Sequence, residues 1–261
     1  MVAFLVPHTQ PIENTELRSN PGNPAIVMSD VQFAWRPEGG PVLDIPHLEI
    51  LRGQHVFFAG PSGSGKSSLL GLLAGVSVPQ AGQIRILGQR LEKMGGSERD
   101  RFRADHMGVI FQMFNLIPYL TVVENVTLPC RFSRRRYEQA HSNGGLTVEA
   151  VRLLSRLGIS DPLLNRPVTE LSEGQQQRVA AARALIGSPE IVIADEPTSA
   201  LDADHRHAFL QLLFEECRNV QSTLVFVSHD TSLSHLFDQT VALSKINRAG
   251  SAISMDARRE S

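Results

Sequence analysis

The sequence predicts an α/β fold built on a parallel sheet that is covered on both faces. Three observations carry this. Short, largely apolar runs such as Val56-Phe57-Phe58-Ala59, Ile191-Val192-Ile193-Ala194 and Thr223-Leu224-Val225-Phe226-Val227-Ser228 read as buried strands. Segments with helical periodicity alternate with them. The first run leads into Gly60-Pro61-Ser62-Gly63-Ser64-Gly65-Lys66-Ser67-Ser68, spaced G-x-x-x-x-G-K-S, and the apolar Leu69-Leu70-Gly71-Leu72-Leu73-Ala74 follows. Strand, glycine-rich loop, helix is the context in which this pattern cradles phosphate.

In chain order, residues 10–24 are polar and carry Pro11, Pro21, Gly22 and Pro24, which predicts a loose N-terminal extension over 1–24. Residues 25–35 alternate as a strand through Val27, Val31 and Phe33, and 36–41 turn. Strands are expected at 43–50 and 54–59, a helix at 66–74 stopped by Gly75, and a strand at 83–87. Residues 91–103 are charged and helical in part, and 108–112 form a short strand ending at Gln112. Thr121, with Glu124 three residues on, has capping-box spacing at the head of a helix. Residues 132–145 read as polar and irregular, and 146–157 as a helix ending at Gly158. Residues 113–171 thus form a helical insert between two halves of the core. The core resumes with helix 172–186, strand 191–194, helix 204–217, strand 223–228, a short helix at 231–237 and strand 240–243. The tail from residue 246 is polar and expected to be mobile. There is no internal repeat.

Composition narrows the function. The 261 residues suit one large domain or two small ones, and a formal net charge of -2 argues against a nucleic-acid partner. No apolar run approaches the eighteen or so residues that a membrane span needs. The start, Met1-Val2-Ala3-Phe4-Leu5-Val6-Pro7-His8, lacks a basic flank and is too short for a signal peptide. Cys130 and Cys217 lie far apart without metal-ligand spacing, as buried free thiols of a reducing compartment would. Arg131, Arg134, Arg135 and Arg136 cluster either as a solvated face or as a contact for lipid headgroups or a partner.

The chemistry follows from residue types at strand ends. Glycines let successive N–H groups curl around phosphate oxygens, and the helix start adds positive partial charge. Lys66 would reach the β- and γ-phosphates and Ser67 would ligate magnesium. Asp195-Glu196 follows a buried strand: Asp195 would hold the magnesium, largely through water, and Glu196 would act as general base. Gln112 could ligate magnesium or orient water, and His229 could hydrogen-bond the γ-phosphate.

Leu171-Ser172-Glu173-Gly174-Gln175-Gln176-Gln177-Arg178 resembles the LSGGQ signature of ATP-binding cassette (ABC) ATPases. Trp35, the phosphate loop, Gln112, the signature, Asp195-Glu196, Ser199-Ala200-Leu201-Asp202 and His229 stand in that family's order. Over residues 25–245 the resemblance implies a P-loop NTPase with a RecA-like parallel-sheet core, an antiparallel β subdomain and a helical subdomain. It implies ATP hydrolysis with Mg2+, Trp35 stacking on adenine, and Gln112 coupling the nucleotide to a transmembrane partner. Residues 199–202 would communicate across a homodimer, in which Ser172, Gly174 and Gln175 close on the γ-phosphate held by the other copy. Glu173 replaces the usual glycine. Its charge favours the helix start, and it is expected to point away from the phosphate.

Phe111-Gln112-Met113-Phe114-Asn115-Leu116-Ile117-Pro118-Tyr119-Leu120-Thr121-Val122-Val123-Glu124-Asn125-Val126 resembles one branch of the family, as does Ala194-Asp195-Glu196-Pro197-Thr198 with the four residues after it. That branch holds lipoprotein-releasing and macrolide-exporter ATPases and a cell-division ATPase. It implies a cytoplasmic subunit, peripheral on the inner face of the cell membrane through a permease. Three functions fit: export or extrusion of a lipoprotein, peptide or drug-like substrate; force transmission to extracytoplasmic enzymes without transport; and, less well, a soluble ATPase of repair or translation.

Overall fold

The computed structural model describes residues 23–36, 38, 40–198 and 203–249, with side chains for all of these except 203–205. The expectations for the extension before residue 23, for Ser199-Ala200-Leu201-Asp202 and for the tail beyond 249 lie outside the described residues.

β1 (Pro24–Phe33) and β2 (Leu43–Leu51) pair antiparallel, from Ile26 opposite Ile50 to Phe33 opposite Leu43. β3 (His55–Ala59) enters the glycine-rich loop and α1 (Lys66–Leu73) leaves it. β4 (Ala81–Ile86) runs antiparallel to β1 and carries β5 (Gln89–Arg90), giving a sheet ordered β2-β1-β4-β5. α2 (Gly96–His106) leads into β6 (Met107–Ile110), and α3 (Val122–Thr127), α4 (Arg134–Ser142) and α5 (Leu146–Arg156) follow. The chain continues through α6 (Glu173–Leu185), β7 (Ile191–Asp195), α7 (Ala203–Asn219), β8 (Thr223–Ser228), β9 (Gln239–Ala242) and α8 (Leu243–Ile246). A second sheet has the order β6-β7-β8-β3-β9, with every neighbouring pair parallel.

The parallel strands send alternate residues to opposite faces. Phe57, Val192, Leu224 and Phe226 join one core with Val126 of α3, Leu153 of α5, Val179 of α6 and Leu213 of α7. Val56, Phe58, Ile191, Ile193, Val225 and Val227 join the other, with Ile26, Met28 and Ile45 of the antiparallel sheet and Leu69 and Leu72 of α1. With both faces dry, the strands need no polar alternation, which is why they read as continuous apolar runs. Cys130 and Cys217 are buried free thiols.

His55, at the start of β3, is 1% exposed, and neither ring nitrogen has a hydrogen-bond partner. Burial pulls its pKa from 6.5 down to about 4, against a smaller upward pull from Asp238. A depressed histidine pKa means that the unfolded chain binds the proton more tightly. Stability is therefore full above the unfolded pKa and falls as pH drops toward the folded one. Urea unfolding is expected to show a loss of about 2 kcal/mol from this residue between about pH 7 and about pH 5. The His55→Phe chain should lack that loss.

Three expectations are corrected. Residues 132–145 are not irregular: α4 spans Arg134–Ser142, with Ser133 as N-cap accepting the Arg136 N–H at 3.0 Å. Nor are the four arginines one solvated face. Arg131 and Arg134 are exposed, Arg135 pairs with the buried Glu190, and Arg136 is 3% exposed. The Arg136 guanidinium donates to the carbonyls of Ile186 (2.7 Å), Ala184 (2.7 Å), Arg183 (3.2 Å) and Met107 (3.2 Å). Burial lowers its pKa to about 10, still well above neutrality. A cation on the last carbonyls of α6 opposes the negative end of that helix dipole. Finally, the chain packs against the core past residue 246. Asn247 accepts the Asp44 N–H at 2.8 Å and donates to the Val42 carbonyl at 3.0 Å, fastening residues 247–249 to β2.

Candidate functional site

The parallel register brings three strand ends level. Ala59 lies opposite Ser228, and Val227 opposite Asp195. The next residues are Gly60, His229 and Glu196, so the phosphate loop, the histidine and the paired carboxylates meet at the carboxyl edge of the sheet, where open α/β sheets bind ligands. Trp35, Val42, Ser62, Gly63, Gly65, Lys66, Ser67, Ser68, Gln112, Asp195, Glu196 and His229 line one cleft of about 520 Å³.

The loop fits an anion. Gly63 (φ 79°) and Gly65 (φ 97°) take left-handed backbone conformations. A Cβ on Gly65 would lie 2.8 Å from Leu43, and one on Gly60 would lie 2.5 Å from Ser64 Oγ. Gly65 is the N-cap of α1 and offers no side-chain acceptor, and the first turn has no acidic residue, so the helix start is left for a ligand. Pro61 accepts the Ser64 N–H at 3.2 Å and closes the turn. Lys66 Nζ donates to the carbonyls of Gly60 (2.7 Å) and Pro61 (2.9 Å), so the ammonium lies over the loop. Trp35 is 66% exposed, and its indole N–H donates to the buried Ser68 hydroxyl at 3.2 Å, which pins the ring to the loop.

Ser67, Gln112 and Asp195 bring a hydroxyl, an amide and a carboxylate to the same cleft. Such hard oxygen donors suit Mg2+. Burial raises the Asp195 pKa, the neighbouring Glu196 raises it further, and Lys66 pulls it down. A cation beside Asp195 would relieve that desolvation. β6 ends at Ile110, so Gln112 stands in the turn beyond the strand and not on its last residue as expected. Phe114 and Asn115 follow in left-handed conformations, and Arg183 of α6 donates to both their carbonyls.

Glu196 and His229, predicted separately, form a pair. Glu196 Oε1 accepts the His229 backbone N–H at 2.9 Å, and His229 Nδ1 lies 2.9 Å from both carboxylate oxygens. An ionised carboxylate only accepts, so Nδ1 carries the proton. Ser228, which the sequence reading missed, donates its hydroxyl to Glu196 Oε2 at 3.0 Å. Its signal was a polar end on an apolar strand, directly before His229. Val42 on the cleft wall gave no signal at all.

Ser172, Gly174 and Gln175 do not line this cleft. They form the first turn of α6, where Ser172 caps the Gln175 N–H (3.4 Å) and Gln175 Oε1 accepts the Ser172 N–H (3.0 Å), as the capping-box spacing predicts. Glu173 is exposed.

A family model described as "ABC transporter" matches residues 43–199. The lipoprotein-releasing system ATP-binding protein LolD of Xylella fastidiosa is 38% identical over 202 residues, 77% of this chain and 81% of the relative. The uncharacterized ABC transporter ATP-binding protein YbbA of Escherichia coli is 41% identical over 196 residues, 75% of this chain and 83% of the relative. Among solved structures, the dimeric post-hydrolysis state of the ATP-binding cassette MJ0796 bound to ADP and Pi superposes with a TM-score of 0.74 at 34% identity, covering 83% of this chain and 93% of that one. With the phosphate loop, the paired carboxylates and the signature helix in place, the chain belongs to the ABC transporter family, as one of its ATP-hydrolysing, ATP-binding subunits.

Proposed function

We propose that the chain works as a homodimer whose ATP hydrolysis drives an integral-membrane permease. The permease would export or extrude a lipoprotein, peptide or drug-like substrate. The chain would sit at the cytoplasmic face of the membrane through that permease; no described helix is long and apolar enough to cross one. The observation that carries this is the division of the parts. One chain gathers Lys66, Asp195, Glu196 and His229 in a cleft, while Ser172, Gly174 and Gln175 stand at a helix start outside it. A second copy, turned head to tail, would bring its helix start to the phosphates. The dimeric MJ0796 cassette and the lipoprotein-releasing relative support this reading.

Within it, Lys66 and the N–H groups of residues 62–68 bind the phosphates, with Gly60 and Pro61 turning the loop around them, and Trp35 stacks on the adenine. Ser67, Gln112 and Asp195 would hold Mg2+, which when bound neutralises charge on the β- and γ-phosphates. Glu196 accepts the proton of the attacking water at a carboxylate oxygen, and His229 orients that carboxylate and the γ-phosphate. Residues 113–171 serve as the helical subdomain.

The permease would dock in a groove of about 690 Å³ whose walls include Val76, Met107, Phe111, Phe132, Arg101 and Arg103. Phe132 (72% exposed) and Phe111 (42%) leave apolar surface uncovered there, as interaction sites do. Purification of the tagged chain from membranes should bring a permease with it. The Phe132→Asp chain should keep its basal ATPase rate and bind that permease at least about tenfold more weakly. Undiminished binding would remove the groove as the docking surface, and a wild-type chain that recovers no membrane protein would remove the transport reading.

A further inference from the structure

Glu196 is held on one side by a residue to which the roles above assign nothing. Ser228 ends β8 and is 2% exposed. Its hydroxyl accepts the Asp230 backbone N–H at 3.1 Å and lies 3.0 Å from Glu196 Oε2. The carboxylate has no proton to give, so Ser228 is the donor, and the Asp230 N–H on its lone pair turns that proton toward Glu196. Asp230 is itself fixed. Its Oδ1 accepts from Ser232 N (3.1 Å) and Ser232 Oγ (2.6 Å), and its Oδ2 pairs with Arg206 of α7.

The Glu196 backbone has φ 45°, in the left-handed region, while its N–H donates to the Val227 carbonyl at 2.9 Å. For a residue with a Cβ this conformation is strained. It persists where the surroundings over-determine it, as they do at functional sites. Ser228 and His229 supply that determination from two directions.

We propose that Ser228 is a positioning residue for Glu196. Its buried hydroxyl and the two His229 donors fix the plane of the carboxylate and leave the remaining lone pair for the attacking water. The carboxylate offers about four acceptor sites; Ser228 O–H, His229 N–H and His229 Nδ1–H take three. The proposal rests on the reading of Glu196 as general base.

The test compares Ser228→Ala, Ser228→Cys and Ser228→Thr in the full chain. It measures kcat, KM for ATP, and ATP binding through the fluorescence of Trp35, the one tryptophan of the sequence. In the Ala and Cys variants kcat should fall about ten- to a hundredfold, with KM within about twofold of the parent. Thr, which keeps the hydroxyl, should recover most of the rate. Unchanged kcat in Ala or Cys would overturn the proposal, as would a Thr variant that stays as slow as Ala. So would a loss of turnover that merely follows a loss of ATP binding. If Ala fails to fold, Cys, of similar volume, decides. Normal turnover in Ser228→Ala beside an inactive Glu196→Gln removes the role of Ser228 alone; wild-type turnover in Glu196→Gln removes the general-base reading as well.

Discussion

Glu196→Gln is expected to lower the turnover number by about a hundred- to ten-thousandfold and to leave ATP bound. Glutamine has the size of glutamate, and its amide oxygen can still accept from Ser228 or from the His229 N–H, so the cleft keeps its shape. What is lost is the base. The amide cannot take a proton at neutral pH, and its NH2 group meets the His229 Nδ1–H donor to donor. A site that binds ATP without clearing it accumulates the nucleotide-bound state. If two chains share that nucleotide, binding drives their association by mass action. Light scattering in Mg-ATP should then report the mass of two chains for this variant, and of one chain without nucleotide. Turnover at the parent rate would remove Glu196 as base, and a monomer at saturating ATP would remove the two-chain site.

Lys66→Ala is expected to weaken ATP binding by about ten- to a hundredfold and to abolish measurable turnover. The ammonium lies over the loop, against the carbonyls of Gly60 and Pro61, where it must be to meet phosphate oxygens. A charged hydrogen bond is worth about 1.5–3 kcal/mol, which sets the loss of affinity. The loss in rate is larger, because charge builds on the transferring group and a fixed donor aimed at it contributes a further factor of about a hundred to a thousand. Trp35 sits on the same loop through Ser68, so its fluorescence titrates binding directly. Near-normal hydrolysis in the presence of the permease would contradict the assignment of this loop.

The features legible in the sequence are those set by residues close together in the chain. β3, the loop and α1 are contiguous, and the spacing from Gly60 to Ser67 is itself the geometry of the cradle. The helix starts at Thr121 and Ser172 were legible because a capping box spans four residues. α4 was not. Its sequence, RRRYEQAHS, has little apolar periodicity, and Arg136 is held by carbonyls of β6 and α6, distant in the chain. The Glu196–His229 contact was hidden for the same reason. Each residue announces itself as a polar group after an apolar strand, but their meeting depends on the β7–β8 register, which no local pattern encodes. Residues 247–249 looked like the start of a polar tail because the value of Asn247 lies in its fit to the backbone of Val42 and Asp44, some two hundred positions earlier.

The grip of Arg136 has a mechanical consequence. α6 holds thirteen residues, a rod about 20 Å long at 1.5 Å per residue. Ser172 caps its front. Its rear carbonyls are clamped by the Arg136 guanidinium, which also forms part of the groove wall with Arg183 and Ala184. The groove and the signature are therefore opposite ends of one strut. A partner seated in the groove would touch the end of α6 opposite the one that Ser172 caps, a helix length of about 20 Å away.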